Sequence, residues 1–492
     1  MHGGVPSKSE LLHLAQQAPE VRVCLRVPEE SRARFALRVV RTLKEAGYRA
    51  VWAGGCVRDL LLGSRPVDYD VATSARPEEV RRLFKRTVAV GAQFGVILVV
   101  GTREEGEIEV ATFRVEGPYS DGRHPDRVEF ASMEEDAKRR DFTINGMFYD
   151  PLDHVLFDYV GGLRDLANGV VRAIGNPRER FDEDRLRLLR AVRFAASFEF
   201  ELDQDTLQAV KEMAAGIRSV SPERIQRELK LLLVHRRRAY GVRLMRDVGL
   251  LEHILPELTV GEAGRVPDAL HKEGTDRFAH TLDVLERLDA SWTRARTAAC
   301  RHRGCEPDYS DQVPFELAYA ALLHAYVPPV VEGPVPFEAI LRRKRARPVR
   351  ESCRKLRLSN AEMDVIEWLL DNRAALLHFS RLKPAQWKPL MAERSFPLLL
   401  ALAYADSEAL RTGLDEVQRC AELYVSLTPG QVNPAPLLTG RDLLGLAVPR
   451  GPAIGEILHA VRAAQLNGEI RDRDEALRLA VRLAEKYRSD PA

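Results

Sequence analysis

The chain has 492 residues, which is more than one hydrophobic core usually organises, so roughly three or four domains of about 100–200 residues each are expected. Hydrophobic residues make up 45% and charged residues 30%, which excludes an intrinsically disordered protein, and the net charge of only +2 excludes a strongly cationic one. No apolar run reaches the roughly 18–20 residues that cross a bilayer and no signal-peptide core is present, so we expect no membrane partner and a cytoplasmic location.

The N-terminal third predicts a mixed α/β region with a small sheet. Residues 1–30 predict an irregular lead-in, and residues 31–46 and 57–62 carry apolar side chains at helical spacing. Four β-prone segments, three of them rich in Val and Ile, predict strands at residues 49–53, 67–73, 95–101 and 107–113.

From about residue 176 onward, strand signals almost vanish and helical patterns take over, as at residues 183–198, 204–216 and 222–233. Breaks that contain Pro and Gly near residues 261–267, 327–336 and 428–436 indicate segment boundaries. No convincing repeat of 20–50 residues is present, which argues against a solenoid.

Asp68 and Asp70 lie two positions apart in a β-prone segment, where side chains at i and i+2 project to the same face. Adjacent carboxylates repel each other unless a hard cation lies between them, and Mg²⁺ takes such oxygen ligands together with substrate phosphates. The pair therefore favours a metal site, although an isolated Asp-x-Asp is also common on ordinary surfaces.

Polar residues around this pair fit a phosphate site. Gly54 and Gly55 form a turn into a helix start, where backbone N–H groups can cradle phosphate. Arg58 would add a cation near a triphosphate; alternatively, the segment is a plain strand–turn–helix motif in which Arg58 pairs with Asp59. Glu109, a carboxylate inside an apolar strand-like run, is either a third acid that faces the metal or part of the solvent face of an edge strand.

Read together, these residues resemble the nucleotidyltransferase family of tRNA CCA-adding enzymes and bacterial poly(A) polymerases, within the polymerase-β-like superfamily. Further motifs of that family follow in register, and the resemblance covers about residues 50–230. These motifs are EGPYSDGRHP at 116–125, RRDFTIN at 139–145, IGNP at 174–177, EDRLRLLR at 183–190, RFA at 193–195 and SPERI at 221–225.

The resemblance implies an α+β fold, with a small polymerase-β-like nucleotidyltransferase sheet domain followed by all-α neck, body and tail domains. After an N-terminal extension at residues 1–30, we expect the catalytic head at 31–172 and a neck that selects nucleotides and binds RNA at 173–260. A helical body with a degenerate HD-like segment would follow at 261–427, and a tRNA-binding tail at 428–492.

The resemblance also implies a role for individual residues. Asp68 and Asp70 would hold two Mg²⁺ ions, and Glu109 would complete the catalytic acids. Arg140 and Asp141 would contact the ribose and phosphates. The full set implied to bind the nucleotide is Gly55, Arg58, Arg140, Asp141, Asn145, Asp184, Arg187 and Arg190.

Asp184 and Arg187 are expected on one face of the predicted helix, because a spacing of three brings side chains together. In the family, these positions present a carboxylate and a guanidinium to the Watson–Crick edge of CTP or ATP, so the protein itself acts as the template. The alternative is a surface ion pair of little energetic value.

The implied activity is template-independent addition of C, C and A to tRNA 3′ ends from CTP and ATP. Residues 116–125 are similar to the flexible loop of members that add the terminal A, which disfavours an enzyme that adds only C and C. Residues 90–95 are similar to the corresponding residues of CCA-adding members. An A-adding enzyme or a poly(A) polymerase shares the same catalytic residues and stays open. An inactive RNA-binding scaffold is disfavoured because the acidic pair and Arg140 are all present.

Three histidines in the C-terminal half, His271, His280 and His324, are similar to fragments of an HD-type metal-dependent phosphohydrolase domain. Ala325 stands where the defining aspartate would be, and alanine offers no metal ligand. We therefore expect a structural remnant whose histidines are satisfied in a helical core or at its edge, and we give a phosphohydrolase activity little weight.

Overall fold

The computed structural model of the chain describes residues 5–89, 95–116, 128–258, 276–304, 310–326, 347–445 and 452–488. The chain divides into two units, the first formed by Met1–Leu232 and Arg243–Ile254 and the second by Leu233–Val242 and Leu255–Ala492. In the ranges given above, no helix combines the length and the apolar character needed to cross a membrane.

The first unit is built on an eight-stranded mixed sheet with two small two-stranded sheets beside it. The strands are β1 (Glu20–Arg22), β2 (Ala50–Ala53), β3 (Asp70–Thr73), β4 (Thr87–Val88), β5 (Val96–Val100), β6 (Glu107–Thr112), β7 (Arg114–Glu116), β8 (Val128–Phe130), β9 (Phe148–Asp150), β10 (Val155–Phe157), β11 (Val170–Val171) and β12 (Glu201–Leu202). The large sheet has the order β1-β10-β9-β2-β3-β6-β5-β4, with β7 paired to β8 and β11 to β12.

The α-helices up to residue 254 follow in chain order, and several of them pack on the large sheet. They are α1 (Lys8–Gln17), α2 (Ser31–Glu45), α3 (Gly55–Leu61), α4 (Pro77–Leu83), α5 (Met133–Lys138), α6 (Gly162–Asn168), α7 (Pro177–Glu183), α8 (Leu186–Phe198), α9 (Gln204–Met213), α10 (Pro222–Val234), α11 (Arg238–Asp247) and α12 (Leu251–Ile254). Phe35, Val39 and Leu43 recur along one face of α2 and are buried, which explains why this amphipathic helix packs on the sheet.

The expectation of an irregular lead-in at residues 1–30 is wrong for the described part of that segment. Ser7 caps α1 through a capping box with Glu10, and β1 joins the edge of the large sheet, where Val21 pairs with Leu156. A short helix with one buried apolar residue and a three-residue strand are too brief to give a clear periodic pattern.

The predicted strands and helices around the sheet are present, but the strand predicted from residue 67 begins only at Asp70, and the start of α8 also differs from the prediction. A continuous helix over residues 183–198 is wrong, because α7 ends at Glu183 and Asp184 adopts an extended conformation with φ −146° and ψ 103°. The Asp184 carboxylate accepts a hydrogen bond from the backbone N–H of Leu186, at 3.1 Å. A short carboxylate side chain that bonds the nearby backbone competes with helical hydrogen bonds, and this explains the break.

The part of the second unit that the structure describes contains helices and no strands, as expected for an all-α remainder. After a 3₁₀ turn at Pro256–Leu258, the α-helices are α13 (Arg277–Arg303), α14 (Phe315–Leu323), α15 (Arg347–Lys355), α16 (Asn360–Leu377), α17 (Pro384–Ala392), α18 (Phe396–Leu410), α19 (Leu414–Ser426), α20 (Pro429–Val432), α21 (Gly440–Leu444), α22 (Pro452–Asn467) and α23 (Arg473–Arg488). Further 3₁₀ turns lie at His324–Tyr326 and Phe379–Arg381.

Some sequence predictions fall outside the described residues. They concern residues 117–125 of the loop assigned to A addition, residues 90–94 of the segment assigned to CCA addition, and His271. The division of the chain into extension, head, neck, body and tail also stays a prediction.

Candidate active site

Two acidic residues face each other across neighbouring strands of the large sheet. Strands β3 and β6 run parallel, and their register places Asp70 directly opposite Glu109. Ile108 and Val110 on either side of Glu109 are buried while Glu109 is exposed, as the alternation of side chains along a strand requires. The register thus brings the two carboxylates to the same open face of the sheet.

The electrostatic environment of Asp70 disfavours its charged form. Restricted hydration raises the pKa of Asp70 to about 6, the negative charges of Glu109 and Asp68 act in the same direction, and the Arg140 guanidinium opposes them. Asp70 is therefore close enough to Glu109 and Asp68 to be repelled by both, and a cation bound beside it would relieve that repulsion.

Asp68 lies just before β3 rather than inside it, and its partner is a residue that the sequence analysis did not identify. Nη1 of Arg32, in the first turn of α2, donates to Oδ1 of Asp68 at 2.8 Å and to the carbonyl oxygen of Val67 at 2.7 Å. A cleft of about 620 Å³ opens here and is lined by Arg32, Arg65 and Val67 among others. Arg32 lies 36 positions before Asp68, so no local sequence pattern predicts their ion pair.

The position of Arg140 near the acidic cluster is set by hydrogen bonds to the buried carboxylate of Asp136 and by the close approach of the turn at Gly54. Its Nε and Nη2 donate to Oδ2 of Asp136 at 3.3 and 3.1 Å, and its guanidinium lies 4.8 Å from the centre of the Phe148 ring. Burial opposes ionisation of Asp136, but Arg140 and Arg139 keep the pKa of that carboxyl below its ordinary value. Gly54 has φ +71°, and a Cβ there would lie 3.0 Å from Nη1 of Arg140, so the turn requires glycine for both reasons.

Arg58, Asn145 and Asp141 form one buried chain of hydrogen bonds. Arg58 pairs with Asp59 at 2.7 Å and donates through Nη1 to Oδ1 of Asn145 at 2.5 Å. Nδ2 of Asn145 then donates to Oδ1 of Asp141 at 3.1 Å. Arg58 also lies 4.4 Å from the centre of the Phe198 ring. These contacts match the alternative of a strand–turn–helix packing motif in which Arg58 pairs with Asp59. Contact between Arg58 and a nucleotide stays a prediction.

The chain of hydrogen bonds continues from Asp141 into α8. Arg190 donates to Oδ2 of Asp141 through Nε at 3.0 Å and Nη2 at 2.7 Å, and its Nη1 donates to Glu228 at 3.0 Å. Despite burial, the charge of Arg190 and its hydrogen bonds lower the pKa of Asp141 to about 2. The ionised Asp141 therefore fixes α8 to the segment after α5 that contains Arg140.

The side chains of Asp184 and Arg187 do not form an ion pair with each other, although the backbone N–H of Arg187 donates to the carbonyl oxygen of Asp184 at 3.0 Å. Arg224 donates to both oxygens of Asp184, at 3.0 and 2.7 Å, in a bidentate pair. Arg187 donates to Glu183 at 2.7 Å and to the carbonyl oxygens of Arg180 and Arg139. The expected single helical face is wrong because of the break at Asp184, and so is the alternative of an ion pair between these two residues; their contact with a base stays a prediction.

Gly55 is the first residue of α3 and stands at the turn predicted to cradle phosphate.

The structure adds four charged residues that the sequence analysis did not assign to the site: Arg32, Asp136, Arg224 and Glu228. Arg224 lies in the SPERI motif, and Glu228 lies in the helical turn that follows it. The motif is visible in the sequence, but the ion pairs that these two residues form are not.

The donor set at the acidic cluster fits a divalent metal ion. It offers carboxylate oxygens from Asp68, Asp70 and Glu109, which are hard ligands of the kind that Mg²⁺ and Mn²⁺ prefer. Besides restricted hydration, repulsion from Glu109 and Asp68 raises the pKa of Asp70, and such an ion would remove that repulsion. The residues present therefore fit the metal that the sequence predicts.

Comparison with known families matches two parts of the chain. Residues 50–172 match a model described as "Poly A polymerase head domain", and residues 199–261 match one described as "Probable RNA and SrmB- binding site of polymerase A". The first match contains the acidic cluster, Arg140, Asp141 and Asn145.

Relatives of two names share this region. The chain is 41% identical to the CCA-adding enzyme of Ligilactobacillus salivarius over 230 residues, which is 46% of this chain and 55% of the relative. It is 43% identical to poly(A) polymerase I of Escherichia coli O6:H1 over 239 residues, which is 46% of this chain and 50% of the relative. The aligned part thus spans about half the length of these curated relatives.

A solved structure extends the likeness to nearly the whole chain. The CCA-adding enzyme of Bacillus stearothermophilus in complex with CTP is 29% identical, with a TM-score of 0.63 over 92% of this chain and 97% of that one. The CCA-adding enzyme of Thermotoga maritima, at 20% identity and a TM-score of 0.58, shares the fold. From the motifs, the geometry of the site and these matches together, the chain is similar, over residues 50–172 and 199–261, to the nucleotidyltransferases that include the tRNA CCA-adding enzymes and the bacterial poly(A) polymerases.

Proposed function

We propose that the protein adds C, C and A to the 3′ end of tRNA, using CTP and ATP, with two Mg²⁺ ions at Asp68 and Asp70 and release of pyrophosphate. The observation that carries this proposal is the register of β3 and β6, which sets Asp70 against Glu109, with Arg140 beside them. A tRNA-processing role also favours the cytoplasm as the location.

Bound Mg²⁺ would lower the pKa of the RNA 3′-hydroxyl and neutralise charge on the departing pyrophosphate. The residues of the chain position the reactants. Asp68 and Asp70 would supply ligand oxygens, and Glu109 would add negative charge that favours a second cation. Arg140, whose direction is fixed by Asp136, presents its guanidinium to a phosphate or ribose oxygen beside the cluster.

Asn145 and Asp141 have a supporting role in this proposal. They join Arg58 of α3 to Arg190 of α8, so the phosphate-binding turn and the helix that follows Asp184 move as one body. A fixed distance between triphosphate and base is what selection by a protein template requires, because a base is rejected only when its edge cannot reach the selecting groups.

Asp184 and Arg187 are proposed to select the base. The bidentate pair with Arg224 fixes the carboxylate of Asp184, and Glu183 fixes the guanidinium of Arg187. A fixed acceptor and a fixed donor can distinguish the Watson–Crick edges of cytosine and adenine from those of uracil and guanine, since a mismatched edge leaves buried polar groups unpaired.

An A-adding tRNA nucleotidyltransferase or a poly(A) polymerase is the alternative, because relatives of both names align at similar identity. CCA addition is favoured by the similarity, over 97% of its length, to a CCA-adding enzyme whose structure holds CTP. The alternatives differ from the proposal in the products they make.

The test is gel-resolved extension of a tRNA that ends at the discriminator base and of the same tRNA ending in CC, each with Mg²⁺ and CTP, ATP or both. Three added residues followed by a halt support CCA addition. Extension of only the CC-ending substrate, by one A, would make the protein an A-adding enzyme. A long ladder with ATP alone on an unrelated RNA would make it a poly(A) polymerase, and no extension of any substrate would contradict all three.

A further inference from the structure

The cleft of about 620 Å³ beside the acidic cluster opens where α2 begins. It is lined by Arg32 and Arg34 of α2 and by Arg65 and Val67 of the segment before β3, among others. Sites that hold a small molecule or one unit of a larger one commonly have about 300–1,000 Å³. Because Asp68 directly follows Val67 and binds Arg32, whatever fills the cleft lies next to the proposed metal site.

The order of the strands places this cleft on one side of Asp70 and the predicted phosphate turn on the other. The large sheet runs β2-β3-β6 here, with Gly54 directly after β2, Asp70 at the start of β3 and Glu109 in β6. Gly106, just before β6, approaches Arg32 closely, since a Cβ on Gly106 would lie 2.8 Å from Nη2 of Arg32. The cleft is therefore on the β6 side of Asp70, and the turn at Gly54 is on the β2 side.

This division matches the positions of the two reactants in phosphoryl transfer. The attacking and leaving oxygens lie roughly in line, on opposite sides of the transferred phosphorus. With the triphosphate at the turn of Gly54, as the sequence predicts, the departing pyrophosphate is on the β2 side and the RNA 3′-hydroxyl comes from the β6 side. The cleft on the β6 side is thus placed to receive the 3′-terminal nucleotide of the RNA.

One guanidinium of the cleft has no partner in the part of the chain that the structure describes. Arg32 donates to Asp68 at 2.8 Å, and Nε of Arg65 donates to Glu30 at 2.5 Å. The side chain of Arg34 is exposed and forms no hydrogen bond or ion pair with a described residue. Binding a phosphate at Arg34 therefore breaks no existing ion pair, and an arginine fork suits phosphate oxygens.

The cleft also contains negative charge, which limits what it can hold. Glu29 and Glu104 line it and are exposed. Lining of both signs repels a ligand with several adjacent negative charges, such as free pyrophosphate or a triphosphate. A single ribonucleotide within an RNA chain fits better, because it brings one charged phosphodiester and a 2′-hydroxyl that can donate to a carboxylate.

We propose that Arg34 binds the phosphodiester on the 5′ side of the 3′-terminal nucleotide of the RNA, and that the cleft receives this nucleotide. The proposal rests on the proposed function and deepens it, since it states the side from which the RNA reaches Asp70. Arg34 then acts in binding and positioning the RNA and takes no part in metal binding. Arg32 is less suited as a test, because its ion pair with Asp68 also affects the metal.

The test measures binding of a 5′-fluorescein-labelled tRNA ending in CC to the full-length protein by fluorescence anisotropy, without nucleotide so that nothing is added. At about 50 mM salt, Arg34→Ala should raise Kd by about five- to ten-fold. Its slope of log Kd against log salt concentration should fall by about 0.7, the value for one phosphate of a single strand. Arg34 is exposed, so the far-UV circular dichroism and Tm of the variant should equal those of the unmutated protein.

Arg41→Ala is the matched control. Arg41 lies seven positions after Arg34, which is about two turns further along the same face of α2, and its side chain is also exposed. It forms no hydrogen bond or ion pair with a described residue, and it does not line the cleft. Kd of Arg41→Ala should stay within about two-fold of the unmutated value.

A change in the RNA assigns the contact to one linkage. A neutral methylphosphonate in place of the last phosphodiester should weaken binding to the unmutated protein as much as Arg34→Ala does, and should weaken binding to Arg34→Ala no further. The same substitution two linkages upstream should affect both proteins equally. The proposal is overturned if Kd of Arg34→Ala is unchanged, or if the last methylphosphonate weakens both proteins to the same extent.

Failure of this proposal is distinguishable from failure of the proposed function. If the unmutated protein binds and extends the tRNA while Arg34→Ala behaves in the same way, only the assignment of the cleft is wrong. If the unmutated protein neither binds nor extends the tRNA, the proposed function is wrong and the assignment of the cleft is wrong with it.

Discussion

Arg32 binds Asp68 and occupies the position beside that carboxylate where a cation is expected. Nη1 of Arg32 lies 2.8 Å from Oδ1 of Asp68, and the two side chains are 36% and 75% exposed. Asp70 is left to face Glu109 and Arg140. One acid of the pair thus has a protein cation in the absence of metal, and the other has none directly bound to it among the contacts described.

Arg32→Ala is expected to reduce the Mg²⁺ concentration needed for half-maximal nucleotide addition by about two- to five-fold, because an exposed ion pair of this kind is worth up to about 1 kcal/mol and would no longer compete with the metal. Titration of Mg²⁺ in the extension assay measures this. Arg38→Ala is the control, since Arg38 lies on the same helix and pairs with Glu105 instead. An increased Mg²⁺ requirement in Arg32→Ala would show that Arg32 supports the metal-binding loop.

Asp70→Asn is expected to lower the rate of addition of every nucleotide by at least about 10³-fold, because the amide removes the charge that holds the metal. Filter binding of tRNA should change less than two-fold, since RNA is held through its backbone by other residues. Asp153→Asn, which removes a surface carboxylate paired with Lys44, should leave both quantities unchanged. Residual addition near the normal rate in Asp70→Asn would refute the metal assignment.

Asp184→Asn is expected to reduce discrimination between CTP and UTP by about ten-fold or more while changing tRNA affinity little, because it alters one hydrogen-bonding group at the base edge. Misincorporation in single-nucleotide reactions measures the effect. Arg224→Gln is the informative comparison, since it removes the partner that holds Asp184 while leaving the carboxylate. If Asp184→Asn keeps full discrimination, the residue serves only the ion pair with Arg224.

Asn145→Ala is expected to lower the free energy of unfolding of the first unit by about 1–3 kcal/mol, because Arg58 Nη1 and Asp141 Oδ1 each lose a buried partner. Urea unfolding followed by far-UV circular dichroism gives this value. Gln208→Ala, which removes an exposed hydrogen bond to Glu212, should cost less than about 0.5 kcal/mol. An unchanged stability of Asn145→Ala would mean that the chain of hydrogen bonds does not hold α8.

Acid should weaken the first unit through Asp141. The folded-state pKa of about 2 lies below the value of about 3.9 for a free aspartate, so the stabilisation is complete above about pH 4 and is lost as the pH falls through about 2. Arg190→Gln removes the charge that lowers this pKa, so the variant should be less stable near neutral pH and lose less stability between pH 4 and 2. Equal acid dependence of the two proteins would assign the effect to other carboxylates.

Motifs and alternation along strands predicted much of the site. The acidic pair, Glu109 and the helical remainder follow from local patterns, and the structure places Glu109 opposite Asp70 as a strand alternation allows. The break at Asp184 was missed because the sequence around it is helical in period, and a single side chain that bonds the backbone decides the conformation there.

Long-range partners could not be predicted. Arg32 reaches Asp68, and Asp406 meets His280 more than a hundred residues away in sequence; neither pairing has a local signature. A single sequence gives periodicity and motif order, whereas such contacts depend on how whole elements are arranged. Apart from the local break at Asp184, the parts of the site that were wrong or missing are accordingly those that depend on packing rather than on spacing.

Because the acidic cluster forms only when β3 and β6 pair in the correct register, only correctly folded molecules are expected to be active. A slip of one residue would turn Glu109 into the core and expose Ile108 and Val110, because side chains alternate along a strand. A misregistered chain would thus lose apolar burial and the acidic cluster in the same event. The fraction of active molecules in a preparation should therefore equal the fraction whose sheet is in register, and partly active misfolded forms should not accumulate.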